Sequence, residues 1–172
     1  MRLPIALNPK LSKDNLVPGD IIRTVELSLL PDVKVYTQLI QTLQTYGGYE
    51  EAKWDEPPED LSDKFFVFPY DWRRDNVETA HLLIEKIEKL RKDSKQPNAK
   101  FNILAHSMGG LVARYAVMYG KEDLPNGKPV PNWSGEKYFN KIFLFGVPNE
   151  GAASALDTIL NGRSSLGGST NL

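Results

Sequence analysis

The chain has 172 residues, 41% of them hydrophobic and 25% charged, with a formal net charge of −1, which suits one globular domain with a real core. The near-neutral balance and the lack of a basic face argue against a nucleic-acid partner. With no cysteine and only two histidines, disulfides, thiol catalysis and cysteine metal sites are excluded, and neither a metal nor a cofactor is expected.

Residues 1–9 hold a brief apolar patch broken by prolines, which does not read as a signal peptide. Either the protein stays in the cell or its true N-terminus lies outside this sequence, so its compartment is left open. No apolar run is long enough to span a bilayer. Residues 1–20 have no clear period and read as loop. The alternation of Val25, Leu27 and Leu29 with Thr24, Glu26 and Ser28 predicts a strand over 21–30. Pro31-Asp32 is a turn signal, and 33–35 form a short return strand. Over 36–46 the period becomes helical, with Tyr36, Leu39, Ile40, Leu43 and Tyr46 on one face and Gly47-Gly48 at the end.

Residues 50–63 are acidic and proline-containing and read as a solvated loop. The continuous apolar run 65–68 fits a strand buried on both faces of a parallel sheet. Asp75, with Glu78 three residues on, opens the next helix, whose core face is Ala80, Leu83, Ile84, Ile87 and Leu90. Lys89, Arg91 and Lys92 suit the negative end of its dipole and read as a solvated face. Pro97 stops the helix, and a strand follows over 101–105. The helix after Ser107 is apolar nearly all round except at Arg114, which marks it as central, and Gly120 ends it. A polar loop, a strand over 142–147, a short helix over 152–160 and a loose Ser/Gly-rich tail from Ser164 complete the chain. This alternation of strands and helices predicts an α/β fold with a mostly parallel sheet and helices on both faces.

The chemistry centres on Ala105-His106-Ser107-Met108-Gly109-Gly110, between an apolar strand and an apolar helix. A serine hydroxyl is a weak nucleophile that needs a base, and the oxyanion it generates needs preplaced donors. A tight strand-to-helix turn exposes the hydroxyl of Ser107 and places the Met108 N–H at a helix start, where negative charge is favoured. The turn is crowded, so Ala105 and Gly109 are suitably small, and Gly110 permits close helix–strand packing. The pentapeptide alone carries little weight, since a small-x-Ser-x-Gly pattern arises by chance in roughly one chain in ten of this length.

Three motifs in order add specificity: Phe68-Pro69-Tyr70-Asp71-Trp72-Arg73-Arg74, the Ser107 turn, and Gly146-Val147-Pro148-Asn149-Glu150-Gly151. Together they resemble the lecithin:cholesterol acyltransferase-like family of α/β-hydrolases, bacterial members in particular. Val17-Pro18-Gly19-Asp20 and Tyr46-Gly47-Gly48-Tyr49 also look like that family, and the resemblance covers about residues 15–155. Val147 stands where the family commonly has threonine. The resemblance implies lipid or ester acyl chemistry of the O-acyltransferase or lipase type. Ser107 would be the nucleophile, the Met108 N–H an oxyanion donor, and Asp71 and Trp72 candidate walls of the pocket. The implied partner is a lipid or ester substrate, with peripheral contact to a lipid surface.

The chain also departs from the family. The triad order in α/β-hydrolases is serine, acid, histidine, and no histidine follows Ser107. His106 is adjacent to the serine and diverges from it; His81 reads as a surface or packing residue. Asp123 and Asp157 follow the serine but precede the place of the family's acid. Asp71 and Arg114 are candidates for a buried pair supporting the turn. In the hydrolase fold one more strand, with a Pro-Gly-type loop, lies between the strand over 65–68 and that over 101–105, and it is not found here. The expectation is a single partial α/β-hydrolase domain over 1–172, with 156–172 as the start of a lid or a loose tail, and an isolated chain without a triad acid and histidine. The missing parts then belong to a longer chain or to another one. The alternative is a non-catalytic remnant or complementing half that binds lipid or a partner chain.

Overall fold

The structure, a computed structural model, describes residues 17–27, 30–153, 157, 163–165 and 168–170. The first 16 residues lie outside the described residues, as does most of the helix expected over 152–160, of which Ala153 and Asp157 are described as helical.

The first alternating stretch forms a hairpin: β1 (Thr24–Leu27) pairs antiparallel with β2 (Leu30–Lys34), with an irregularity between Val25 and Leu27. The hairpin base is tied to the next helix through one carbonyl, since Arg23 O accepts from Val35 N, Tyr36 N and Thr37 Oγ1 at 2.9, 3.1 and 2.9 Å. Helix α1 (Thr37–Thr45) follows as its period predicts. Of its expected apolar face only Ile40 is buried, while Tyr46 is 86% exposed. The helix is short and rests on β3 at one side, so Tyr36 and Leu43 are only partly covered and Leu39 and Tyr46 are exposed.

β3 (Glu50–Glu51) and β4 (Lys64–Phe65) pair in parallel. The strand expected over 65–68 is therefore shorter and begins one residue earlier. Beyond Phe65 the backbone has no ladder partner, and aromatic packing takes over. Trp54 lies between Phe66 and Phe68, at 5.0 and 6.3 Å between ring centroids, and its Nε1–H donates to Val67 O at 2.7 Å. Phe68 stacks on Tyr70 at 5.9 Å, extending the row toward Ser107.

Helix α2 (Asn76–Asp93) starts where Asp75 accepts from Val77 N at 2.8 Å. Its expected core positions Ala80, Leu83, Ile84, Ile87 and Leu90 are all buried. β5 (Phe101–His106), α3 (Met108–Tyr119), a 3-10 turn over Glu136–Tyr138 and β6 (Phe139–Phe145) complete a strand–helix–strand unit. β5 and β6 are parallel, in register from Asn102↔Lys141 through His106↔Phe145. Helices α2 and α3 pack together on one face, where Ala80, Ile84, Ile87, Val112, Ala116, Tyr138 and Phe139 form the core, with Phe101 and Ile103 against it. The alternate residues point the other way. There Leu104, Phe143 and Phe145 are 43%, 45% and 50% exposed.

The chain is thus α/β, with two parallel and two antiparallel strand pairs among the described residues. Among the described residues the strands form four two-stranded sheets, and β4 and β5 are not bonded to each other. Among the described residues α2 and α3 cover one face of the β5–β6 pair, and Tyr36, just before α1, reaches only the His106 end of the other. The tail read as loose contains β7 (Arg163–Ser165) and β8 (Gly168–Thr170), an antiparallel pair. No helix among the described residues is long and apolar enough to cross a membrane.

Two glycines set the close packing of α3. A Cβ on Gly135 would lie 1.8 Å from Ala116 O, so only glycine lets this loop reach the helix. From there Gly135 N and Trp133 N donate to Val117 O and Met118 O at 3.2 and 2.8 Å. A Cβ on Gly110 would lie 2.1 and 2.8 Å from the two Cγ atoms of Val147. Gly110→Ala should therefore destabilise the fold by about 1–3 kcal/mol through overpacking, although alanine is the better helix former. The double variant with Val147→Ala should recover most of that loss in urea unfolding; no recovery would show that Val147 is not the obstacle.

Candidate functional site at the β5–α3 turn

Strand β5 delivers the chain to Ser107, which has φ 52° and ψ −128°. L-residues rarely adopt this conformation, because the Cβ crowds the backbone. Two bonds hold it: Ser107 N donates to Phe145 O at 2.9 Å, and Gly110 N donates to Ser107 O at 3.0 Å. The Ser107 side chain makes no capping bond to α3 and is exposed. Ala105, two residues before, is buried. Gly109, two residues after, faces Tyr70, whose hydroxyl would stand 3.6 Å from a Cβ there. Met108 opens α3, so its N–H has no partner within the helix. The arrangement sets an exposed hydroxyl beside helix-start amides, where developing negative charge is stabilised.

Two tyrosines border the turn. Tyr36 OH and His106 Nδ1 share a hydrogen bond of 2.7 Å, with the rings edge to face. Tyr70 is half-buried, and loss of water raises its pKa, with the neighbouring Tyr36 adding to the effect. The helical period puts Tyr36 on the apolar face of α1 and a motif contains Tyr70, but neither pattern gives a place beside the serine. The signal for Tyr70 was its position just before Asp71; Tyr36, 71 residues from Ser107, had none.

Asp71 closes the turn that leads into α2. Arg73 grips it with Nε to Oδ1 at 2.8 Å and Nη2 to Oδ2 at 2.7 Å, and Arg73 N also donates to Oδ1 at 3.1 Å. Arg74 Nε lies 3.8 Å away. The Arg73 bonds hold the Asp71 carboxyl below its ordinary pKa against the opposing effect of burial. The expected Asp71–Arg114 pair is not formed. Asp71 finds its partner two residues away, and Arg114 Nη1 instead donates to Asn149 Oδ1 at 2.6 Å. That bond ties α3 to the loop after β6. Trp72 is 65% exposed.

His81 Nε2 donates to Glu122 O at 3.3 Å and lies against Tyr115. Tyr115 is eight residues along from Ser107, roughly 12 Å on a helix, so His81 belongs to the far part of α3. Asp123 lies beyond the same end, and Asp157 is helical and exposed. Among the described residues no cluster of histidine and carboxylates is arranged to hold a metal.

Two parallel strand pairs, one of them joined by helix α3, with a strained serine between strand and helix, define an α/β protein built around a strand-to-helix serine turn. The family model for lecithin:cholesterol acyltransferase matches residues 23–166, and the chain belongs to that family. Comparisons with curated proteins and with solved structures return no match. Membership relates the chain to lipid acyltransferase and lipase-type activity and makes lipid the consistent substrate class.

Two variants probe this geometry. Ser107→Gly relieves the backbone and Ser107→Ala does not, so the glycine variant should be the more stable by about 1 kcal/mol in urea unfolding, reversing the usual order. A more stable alanine variant would show that the turn is unstrained. Asp71 has a lowered folded pKa, so its contribution is full above the unfolded value of about 3.9 and is lost as pH falls through the folded value. Asp71→Asn should cost about 1–3 kcal/mol at neutral pH. The gap to the parent should close in acid, and a gap that persists unchanged at the lowest pH would contradict the assignment.

Proposed function

We propose that Ser107 is the nucleophile of acyl transfer from a lipid or other ester. The observation that carries this reading is its positive φ at the junction of β5 and α3, within a chain of this family. Its Oγ attacks the ester carbonyl carbon as a base removes the hydroxyl proton. The carbonyl oxygen becomes an oxyanion facing the Met108 N–H. Collapse expels the alcohol and leaves an acyl-serine, which water or a second alcohol then takes up. Trp72 offers an exposed indole to an acyl pocket, and Asp71 supports that wall through the turn it holds.

The fold is read as a partial α/β-hydrolase. The separation of β4 from β5 supports this, because the hydrolase sheet places one more strand between them. Neither histidine serves as the base: His81 is tied to the far part of α3, and Nδ1 of His106 is bonded to Tyr36. The base and its acid must come from residues outside this set, and the chain alone is inactive. The exposed Leu104, Phe143 and Phe145 favour a second reading, in which the chain is a complementing half or a non-catalytic remnant that binds lipid or a partner chain through this face.

Fluorophosphonate labelling separates these readings. The chain alone should show no Ser107-dependent labelling. Supplying a histidine-bearing complement, in a longer chain or as a second polypeptide, should produce labelling that Ser107→Ala abolishes. Labelling of the chain alone that Ser107→Ala removes would overturn the missing base. Labelling that survives Ser107→Ala in the complemented form would overturn the nucleophile.

A further inference from the structure

At the opposite end of the β5–β6 pair from Ser107 the surface opens into a cleft of about 630 Å³. β5 has six residues, so the two places are roughly 20 Å apart. Four cations line the cleft from three elements: Arg91 and Lys92 from the last turn of α2, Lys100 just before β5, and Lys137 in the 3-10 turn before β6. None has a carboxylate within ion-pair distance among the described residues. Arg91 is fixed by neutral groups, with Nε donating to Ala99 O and Nη2 to Lys137 O, both at 2.7 Å. Its orientation is set by these bonds, and burial lowers its pKa against the opposing pull of the Glu88 carboxylate in the same cleft wall.

The acids nearby are already engaged. Glu88, the carboxylate in the cleft wall, accepts from Tyr138 OH and, at 3.3 Å, from Lys121 Nζ. Asp93 is held by Lys89 at 2.5 Å. The α2 C-terminus does attract cations, but a helix end is worth about half an elementary charge, which accounts for one cation and not four. A concave site in which four cations face one carboxylate, Glu88, itself shared with Lys121 and Tyr138, carries an excess of positive charge that calls for a compact, multiply charged oxyanion. Asn98 adds a neutral amide to the lining. The Tyr138 ring is engaged by Arg91 at 4.7 Å and Lys137 at 5.0 Å, which leaves it poorly placed to stack on a base or sugar. Recognition therefore rests on the anion rather than on what it is attached to.

We propose that this cleft is a phosphate-binding site, taking inorganic phosphate or the phosphate end of a larger molecule, a lipid headgroup included. It is separate from Ser107 and does not depend on the acyl-transfer reading. Titration with inorganic phosphate, followed by amide chemical shifts, should give a saturable response at residues 98–100 and 137–138, in the millimolar range or tighter. Lys100→Gln with Lys137→Gln should weaken it about tenfold or more, since both removed charges contact the anion. Both side chains are exposed, and an unchanged circular dichroism spectrum verifies that the variant folds. Ser107→Ala should bind as the parent does.

Co-sedimentation with vesicles distinguishes the sources. Binding to phosphatidic acid in phosphatidylcholine, but not to phosphatidylcholine alone, and lost in the lysine variant, assigns the site to a headgroup. Phosphate binding without vesicle binding assigns it to a soluble phosphate. No saturable shift, the same response to chloride at matched ionic strength, or an undiminished response in the lysine variant overturns the proposal.

Discussion

The conformation of Ser107 is the constraint on which the described fold turns. Within one residue the chain stops being a strand and starts being a helix, and it does so only by holding an L-residue at φ 52°. Such a conformation costs on the order of 1–3 kcal/mol and persists only when its surroundings determine it. The surroundings here are two hydrogen bonds and a set of small residues. The bond from Ser107 N to Phe145 O makes the turn dependent on β6, which is distant in sequence. The elbow is therefore a tertiary feature, and a free peptide of the same sequence would relax out of it.

Helix α3, which carries the Met108 N–H proposed as an oxyanion donor, is kept from shifting. It is held near both ends by glycines that admit no side chain. Near the start Gly110 meets Val147, and at the end Gly135 lies against Ala116 O while two amides of the following loop bond the last carbonyls. Between them Arg114 reaches Asn149. The loop after β6 thus braces the helix that starts at Ser107. This gives physical content to the co-occurrence of the Ser107 turn with the Gly146–Gly151 motif: one holds the other in place.

What was legible in the sequence divides along the same line between local and long-range causes. Helix α2 was legible almost residue by residue, because its cap and its five core positions are periodic and local. The Ser107 turn was legible because small residues flank it between two apolar elements. The strand over 65–68 was overextended: its apolar run predicted burial on both faces, yet the ladder ends at Phe65 and aromatic packing carries the rest. Apolar composition shows that a segment is to be buried but not whether a neighbouring strand is there to pair with it. The open face of α1 failed for the same reason. The Asp71–Arg114 pair failed differently, since a fork to Arg73 two residues away needs less chain ordering than a bond to a distant helix. Tyr36 came to the site through the hairpin and α1, a path with no local signature.

The face of β5–β6 that the described residues leave open and the exposed Ser107 are parts of one geometry. Leu104 and His106 alternate onto the same face of β5, and the register sets Phe143 beside Leu104 and Phe145 beside His106. Tyr36 touches the His106 end of this row, while Leu104, Phe143 and Phe145 remain exposed. Burying apolar surface of this kind is favourable by about 25 cal/mol per Å², so an element that fits the row gains by lying along it. Such an element runs past His106 and Phe145, the last residues of both strands, and Ser107 is the next residue in the chain. Covering the sheet and approaching the proposed nucleophile are thus the same act, and a segment that completes the core also has the shortest path by which to bring a base to the Ser107 hydroxyl.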